Sequence, residues 1–234
     1  MAVNRYADNF SEAYWKKIGE NKMPDKVEMN RVPGYQQALH DKGVLSSLVK
    51  MANGDSIGLF INLPDSTVQL MVKGVGVRNI RIEDIQISSF FKKADQEAVY
   101  DLLSEPLNIV DSKSTIDKEP LNVLQAPKDS QAADSIPMLK PDTTHSEPVF
   151  FILNTDKNVR LYFHQADNDN GKDSRAGWNF EMADRWNEVK RNLKAMSAFS
   201  VPEYIPTISI GVNKVDAKVI YRAIPPHGQI VLTK

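Results

Sequence analysis

From Ile57 onward the apolar residues recur at every second position, the period of a half-buried strand rather than of a helix. Residues 57–63 form a short apolar run, and Pro64-Asp65-Ser66 is turn chemistry. Residues 67–73 then alternate with Val68, Leu70 and Val72 on one face, so 57–73 is expected to form a hairpin. Such a pattern must bury one face of a sheet, and a one-residue slip would expose the whole apolar set. In 75–89, Ile80 and Ile82 alternate, and Ile85 and Ile87 then alternate one residue out of phase. A bulge at Glu83-Asp84 is the expected repair. Residues 149–153 and 158–165 repeat the hairpin grammar around a turn at 154–157. Strands are also expected at 207–212 and 229–233.

Helical periods appear elsewhere. In 9–19, Asn9 and Glu12 have capping-box spacing, Phe10, Tyr14 and Ile18 form a stripe, and Gly19 is a stop. Residues 20–33, with Pro24 and Pro33, read as a linker. A second helical region spans 35–51, broken at Gly43, with Val44, Leu48 and Met51 on one face. Short helices are expected at 94–103 and 216–224. In 180–199, Met182, Trp186, Val189, Leu193 and Met196 recur at spacings of three and four, which predicts a long helix with Trp186 in the core.

Residues 104–147 differ in composition. Six of the thirteen prolines fall between Pro106 and Pro148, and the stretch reads as an arm or linker, with Leu121, Val123 and Leu124 as an edge-strand anchor. The expected fold class is α+β: N-terminal helices, then a β-rich body (hairpins, in a mixed sheet or sandwich) crossed by one long helix. The expected organisation is a helical segment 1–52, a β unit 53–103, the arm 104–147, and a second β unit 148–234 carrying the helix 180–199.

The two hairpins echo each other. Phe60-Ile61, Asp65, Val68 and Leu70 match Phe151-Ile152, Asp156, Val159 and Leu161 at a constant offset of 91 residues. Convergence on cheap turn grammar explains this most simply, and a duplicated β unit is the sharper alternative.

Composition removes several chemistries. The chain of 234 residues has a formal net charge of −1, which leaves no basic excess for nucleic acid. It has no cysteine, hence no disulfide, thiolate nucleophile or thiolate metal site. No apolar run approaches the ~20 residues of a bilayer span, and residues 1–8 carry no signal-peptide core. His40, His145, His164 and His227 lack metal-ligand spacing and read as structural, although His227, near Tyr221 and Arg222, marks a place to seek a pocket. Ser47/Lys50 and Ser89/Lys92 fit Ser-x-x-Lys without its partner motifs. The loop from Asp167 to Gly171 fails calcium-loop spacing. Gly74-Val-Gly76 lacks the remaining features of a phosphate loop. Trp178 and Trp186, with Tyr162 and Phe163, are candidates for an aromatic carbohydrate platform. No cofactor or metal is expected.

Two segments resemble the ends of L,D-transpeptidase domains: the opening hairpin at 61–74, and the closing strand, Asp-led helix and last strand at 207–232, with Asp216, Ile220, Tyr221 and Gly228. The active enzymes of that family carry Ser-His-Gly-Cys-x-Arg ahead of the closing helix. Here the stretch 204–213 has no Cys, His or Arg, and the nucleophile's place falls near Ile208 or Ser209. The resemblance thus implies the scaffold without the reaction: a non-catalytic cell-envelope protein for binding or assembly. Its partner would be a protein or cell-wall component, and its setting the bacterial periplasm or envelope, with the signal peptide outside this chain. Ser209, Tyr221, Arg222 and His227 are the candidate ligand-binding residues. A hydrolase of another class using Ser209 or Ser47, given a base near the serine, is the first alternative. A protein-interaction module using 1–52 through the Phe10, Tyr14 and Ile18 stripe is the second.

Overall fold

The computed structural model describes residues 2–18, 33–118, 147–167, 171–197 and 204–234. Gly19, most of the expected linker at 20–33, the edge-strand anchor at 121–124, part of the loop after Asp167 and the end of the helix expected to reach 199 lie outside the described residues. Two helices lead the chain, α1 (Ala2–Ile18) and α2 (Tyr35–Ala52). Helix α1 begins seven residues before the expected start, so the Asn9 and Glu12 pair lies inside it. Its Val3, Tyr6, Ala7 and Phe10 pack against the chain's own core, with the Phe10 ring 5.2 Å from Phe90. The stripe that an interaction module would have presented to a partner is thus partly used within the chain. Helix α2 runs through Gly43 without a break.

Four strands follow, β1 (Ile57–Asn62), β2 (Thr67–Val72), β3 (Val75–Arg81) and β4 (Asp84–Ile87), then two short helices, α3 (Phe90–Lys93) and α4 (Gln96–Leu103). The remaining elements are β5 (Leu107–Ser114), β6 (Phe150–Thr155), β7 (Arg160–Gln165), α5 (Gly171–Ser197), β8 (Thr207–Val212), α6 (Lys214–Ala223) and β9 (Gln229–Thr233). All nine strands lie in one mixed sheet, in the order β3-β2-β1-β9-β5-β6-β7-β8-β4. The pairs β1–β9 and β7–β8 are parallel, and the other neighbours are antiparallel. The class is α+β, and the strands of the two expected β units share one sheet.

The stretch expected to be an arm from residue 104 opens instead with β5, a central strand whose Leu107 and Ile109 are buried. Of its other residues only Val110 is apolar, and it is exposed, while Asn108, Asp111, Ser112, Lys113 and Ser114 are polar, which hides the strand from an apolar count. The expected bulge at Glu83-Asp84 is a crossing. β3 and β4 are adjacent in sequence yet occupy opposite edges of the sheet. Only Ile82 and Glu83 connect them, and a chain this short spans about 10 Å at most. The sheet therefore curls until its edges nearly meet. Ile82 N–H donates to Ser66 O on one side, and Glu83 N–H donates to Gly211 O on the other. Arg78 of β3 reaches Asp216 of α6 at 2.6 Å. The phase shift between Ile80/Ile82 and Ile85/Ile87 is the trace of this crossing.

Curling gives the sheet an inner and an outer face. Leu59, Ile61, Val68, Leu70, Ile80, Phe151, Leu153, Leu161, Phe163, Ile208 and Ile210 share one buried cluster on the inner face, joined by residues of α1, α3, α4 and α6. On the outer face of β1, β2 and β9, Phe60, Met71 and Val231 pack under Leu48 and Met51 of α2. The outer face of β6, β7 and β8 lies under α5. Asn213 caps α6 by accepting from Asp216 N–H at 2.8 Å, and its amide donates to the Asp216 carboxylate at 2.6 Å. The cap is therefore Asn213, and Asp216, expected to lead the helix, sits in its first turn bonded to the cap's side chain.

The hairpin echo is not carried into the pairing. Ile61 faces Val68, but Ile152 faces Tyr162 rather than Val159. Phe60 packs on the outer face, whereas Phe151 lies in the inner cluster. Pairing and facing both favour convergence over a duplication at the offset of 91.

Ile82 is 4% exposed at the crossing, while Val77 on the neighbouring edge strand is 61% exposed. Ile82→Ala is expected to lower unfolding free energy by about 2–4 kcal/mol, the cost of truncating a buried aliphatic side chain. Val77→Ala should change it by less than about 0.5 kcal/mol, as for an ordinary surface position. Urea denaturation of both variants measures the contrast.

Candidate functional site

The period-two pattern decides which side chains meet on the outer face. In β7, Arg160, Tyr162 and His164 alternate outward, and in β8 so do Thr207, Ser209 and Gly211. Parallel pairing sets Tyr162 beside Ser209 and His164 beside Gly211. On the other flank, β4 sets Gln86 beside Ser209 and Asp84 beside Gly211. Three neighbouring strands thus present Asp84, His164 and Ser209 together.

Ser209 Oγ lies 3.3 Å from His164 Nδ1, and His164 Nε2 lies 3.6 Å from the Asp84 carboxylate. Gly211 makes this arrangement sterically feasible. A Cβ there would sit 2.8 Å from His164 Nε2, so a side chain would force the imidazole out of its place across β8. Burial pushes the His164 pKa below its ordinary value, more strongly than the Asp84 and Glu181 charges raise it. Burial thus disfavours the charged ring, and a neutral imidazole here has one nitrogen that accepts, with Nδ1 facing Ser209 and Nε2 facing Asp84.

Helix α5 roofs this floor. Gly177 lets it approach closely, since a Cβ there would sit 2.5 Å from the Phe150 ring. Phe180 stacks over Phe150 and Tyr162, with centroids 6.4 and 6.3 Å apart. Arg160 donates to Asp184 at 2.8 Å and to the side-chain amide oxygen of Asn154 at 3.1 Å, pinning the next turn of the helix to the sheet. The docking line is thus Gly177, Phe180 and Asp184. The expected core stripe lies elsewhere: Trp186 is 58% exposed and Leu193 is 60% exposed. The spacing was helical, but close approach and an ion pair, not apolar content, chose the buried face.

Between α5 and the sheet lies a cleft of about 750 Å³, within the usual range for small-molecule sites. Tyr162, His164, Thr207, Ser209 and Gln86 line the floor, Gly177, Trp178 and Glu181 the roof, and Ser88, Tyr204 and Ile205 one end. Burial, with the Glu181 and Asp184 charges, pushes the Tyr162 hydroxyl up to about 12, so it remains a neutral donor. Tyr204 shares a 2.5 Å hydrogen bond with Ser88 and packs against Tyr6 of α1.

The four candidate residues from the sequence do not assemble. Ser209 is in the cleft. Tyr221 is buried on the inner side against Phe151, beneath the Lys118 ammonium. Arg222 lies beside it on α6, and His227 is exposed in the turn before β9. In the two Ser-x-x-Lys pairs, Ser47 is buried in α2 while Lys50 reaches Glu105 at 2.7 Å, and Ser89 precedes α3. Of the aromatic platform, Trp178 and Tyr162 line the cleft, but Phe163 points into the core. The histidine absent from 204–213 is placed beside Ser209 by the neighbouring strand, as His164. The alternation of Tyr162 with His164 and of Thr207 with Ser209 was the available signal, but strand adjacency was needed to use it. Among the described residues, no helix is long and apolar enough to cross a membrane. The chain matches no protein-family model, no curated protein and no solved structure.

Two outcomes test the site. Gly177→Ala should cost about 1–3 kcal/mol by overpacking against Phe150, seen as a lower urea midpoint. His164 protonates less readily folded than unfolded, so the unfolded chain binds the extra proton as pH falls below about 6.5. Stability should therefore drop as pH falls through that value toward the lowered folded pKa. His164→Gln should lose less stability than the parent over the same interval, as measured by urea midpoints at stepped pH.

Proposed function

We propose that this chain is a non-catalytic binding protein of the cell envelope whose ligand occupies the cleft between α5 and the outer sheet face. The observation that carries the binding role is the cleft itself, walled by Phe150, Tyr162, Trp178 and Tyr204 and floored by neutral hydrogen-bonding groups. Apolar walls with a few convergent polar groups are the usual composition of a small-molecule site. The envelope setting is supported by the resemblance of 61–74 and 207–232 to L,D-transpeptidase domains. Those segments cover the end of β1 with β2, and β8, α6 and most of β9, and β1 lies directly against β9. The ligand class this suggests is a fragment of cell-wall glycan or peptide.

A second reading, a serine hydrolase, is favoured by the Asp84, His164 and Ser209 row. Its distances of 3.3 and 3.6 Å are long, although such contacts can tighten around substrate. Against it, Ser209 sits inside a strand paired on both flanks, where backbone amides serve the ladder rather than a developing oxyanion. The row is better suited to holding a ligand hydroxyl.

The test is a thermal-shift screen of cell-wall glycan and peptide fragments, with Trp178→Ala as the control and a fluorophosphonate probe in parallel. Trp178 is 61% exposed, so its truncation should leave stability within about 0.5 kcal/mol. Ligand should raise the melting temperature of the parent and not of the variant, and Ser209 should stay unlabelled. Failure of every fragment to bind would refute the binding role. Labelling lost in Ser209→Ala would establish the hydrolase reading instead.

A further inference from the structure

We infer that the ligand of this cleft is an uncharged saccharide ring, stacked on Trp178 and hydrogen-bonded to Tyr162 and to the Ser209 and His164 pair. The inference rests on the binding role proposed above and specifies its chemistry. Among the described residues that line the cleft there is no lysine or arginine. Glu181, the one charged carboxylate among them, already holds Arg185 at 2.6 Å. The Asp84 carboxylate stands behind His164. A phosphate or carboxylate entering here would lose water and find no cation among the described lining residues to receive it. A cation gains little, because Glu181 is committed to Arg185.

A neutral ligand remains, and the lining specifies its surface. Trp178 offers an exposed indole beside the mouth, and the Tyr162 and Tyr204 rings flank the interior, so the ligand must present flat apolar faces. Tyr162, Ser209, His164, Gln86 and Thr207 present hydroxyl, imidazole and amide groups, which both donate and accept. Hydroxyl groups around a ring edge satisfy such mixed partners, whereas a purely aromatic ligand would leave them without hydrogen bonds. A saccharide ring combines C–H faces with a hydroxylated rim.

The experiment is calorimetric titration of the full chain with three oligosaccharides that differ in charge: a trimer of N-acetylglucosamine, its cationic de-N-acetylated counterpart, and an anionic galacturonic acid trimer. The neutral trimer should bind, with both charged trimers at least about tenfold weaker. Trp178→Ala should weaken the neutral complex about tenfold, the worth of an aromatic stack. Tyr162→Phe, which keeps the ring, should weaken it about fivefold, the worth of one hydrogen bond. Equal or tighter binding of either charged trimer would overturn the inference. So would binding indifferent to both substitutions. If no saccharide binds while a peptide fragment protects the protein in a Trp178-dependent manner, the inference fails and the binding role stands. If nothing binds, both fail.

Discussion

The crossing at Ile82-Glu83 is the constraint on which the other features depend. Two residues join strands at opposite edges of a nine-stranded sheet, so an open sheet is geometrically forbidden. Curling creates the inner face, which collects the main core, and leaves an outer face that a single helix must cover on each half.

The two outer faces are covered differently, and that difference makes the site. Helix α2 seals its half with Met51 and Leu48 against Phe60, Met71 and Val231, an apolar contact. Helix α5 meets its half through Gly177, two stacked rings and the Arg160 and Asp184 pair, and it leaves space toward β4 and β8. A buried ion pair is a poor source of net stability, but it is demanding in geometry. Here it holds the roof at a set height above a polar floor.

Much of the architecture was legible from residues alone. The hairpins at β1–β2 and β6–β7, strands β8 and β9 and the long helix α5 follow from local period, which adjacent residues report. Strand β5 was hidden because only Leu107 and Ile109 show its buried face. The crossing was visible as a phase shift, but a bulge produces the same shift, and only pairing separates the two. Ser209 was singled out for its place in the chain. His164 reads as structural from sequence because its partners, Ser209 and Asp84, lie 45 residues after it and 80 before it. Trp186 was assigned to the core because helical period identifies an apolar face without saying whether a neighbour covers it.

Tyr204 has a role beyond walling the cleft. It lines one end of the cavity, shares a hydrogen bond with Ser88, and stacks 5.4 Å from Tyr6, which in turn lies 5.3 Å from Phe90. The N-terminal helix is thereby the buttress of the cavity's end wall. Lifting that helix from Phe90 would remove the ring packed behind Tyr204. Any effect of that packing on occupancy of the cavity would be matched by an equal effect of occupancy on the packing. The first turns of this chain thus stand behind the wall of a cavity lined by residues from about 80 to 200 positions later.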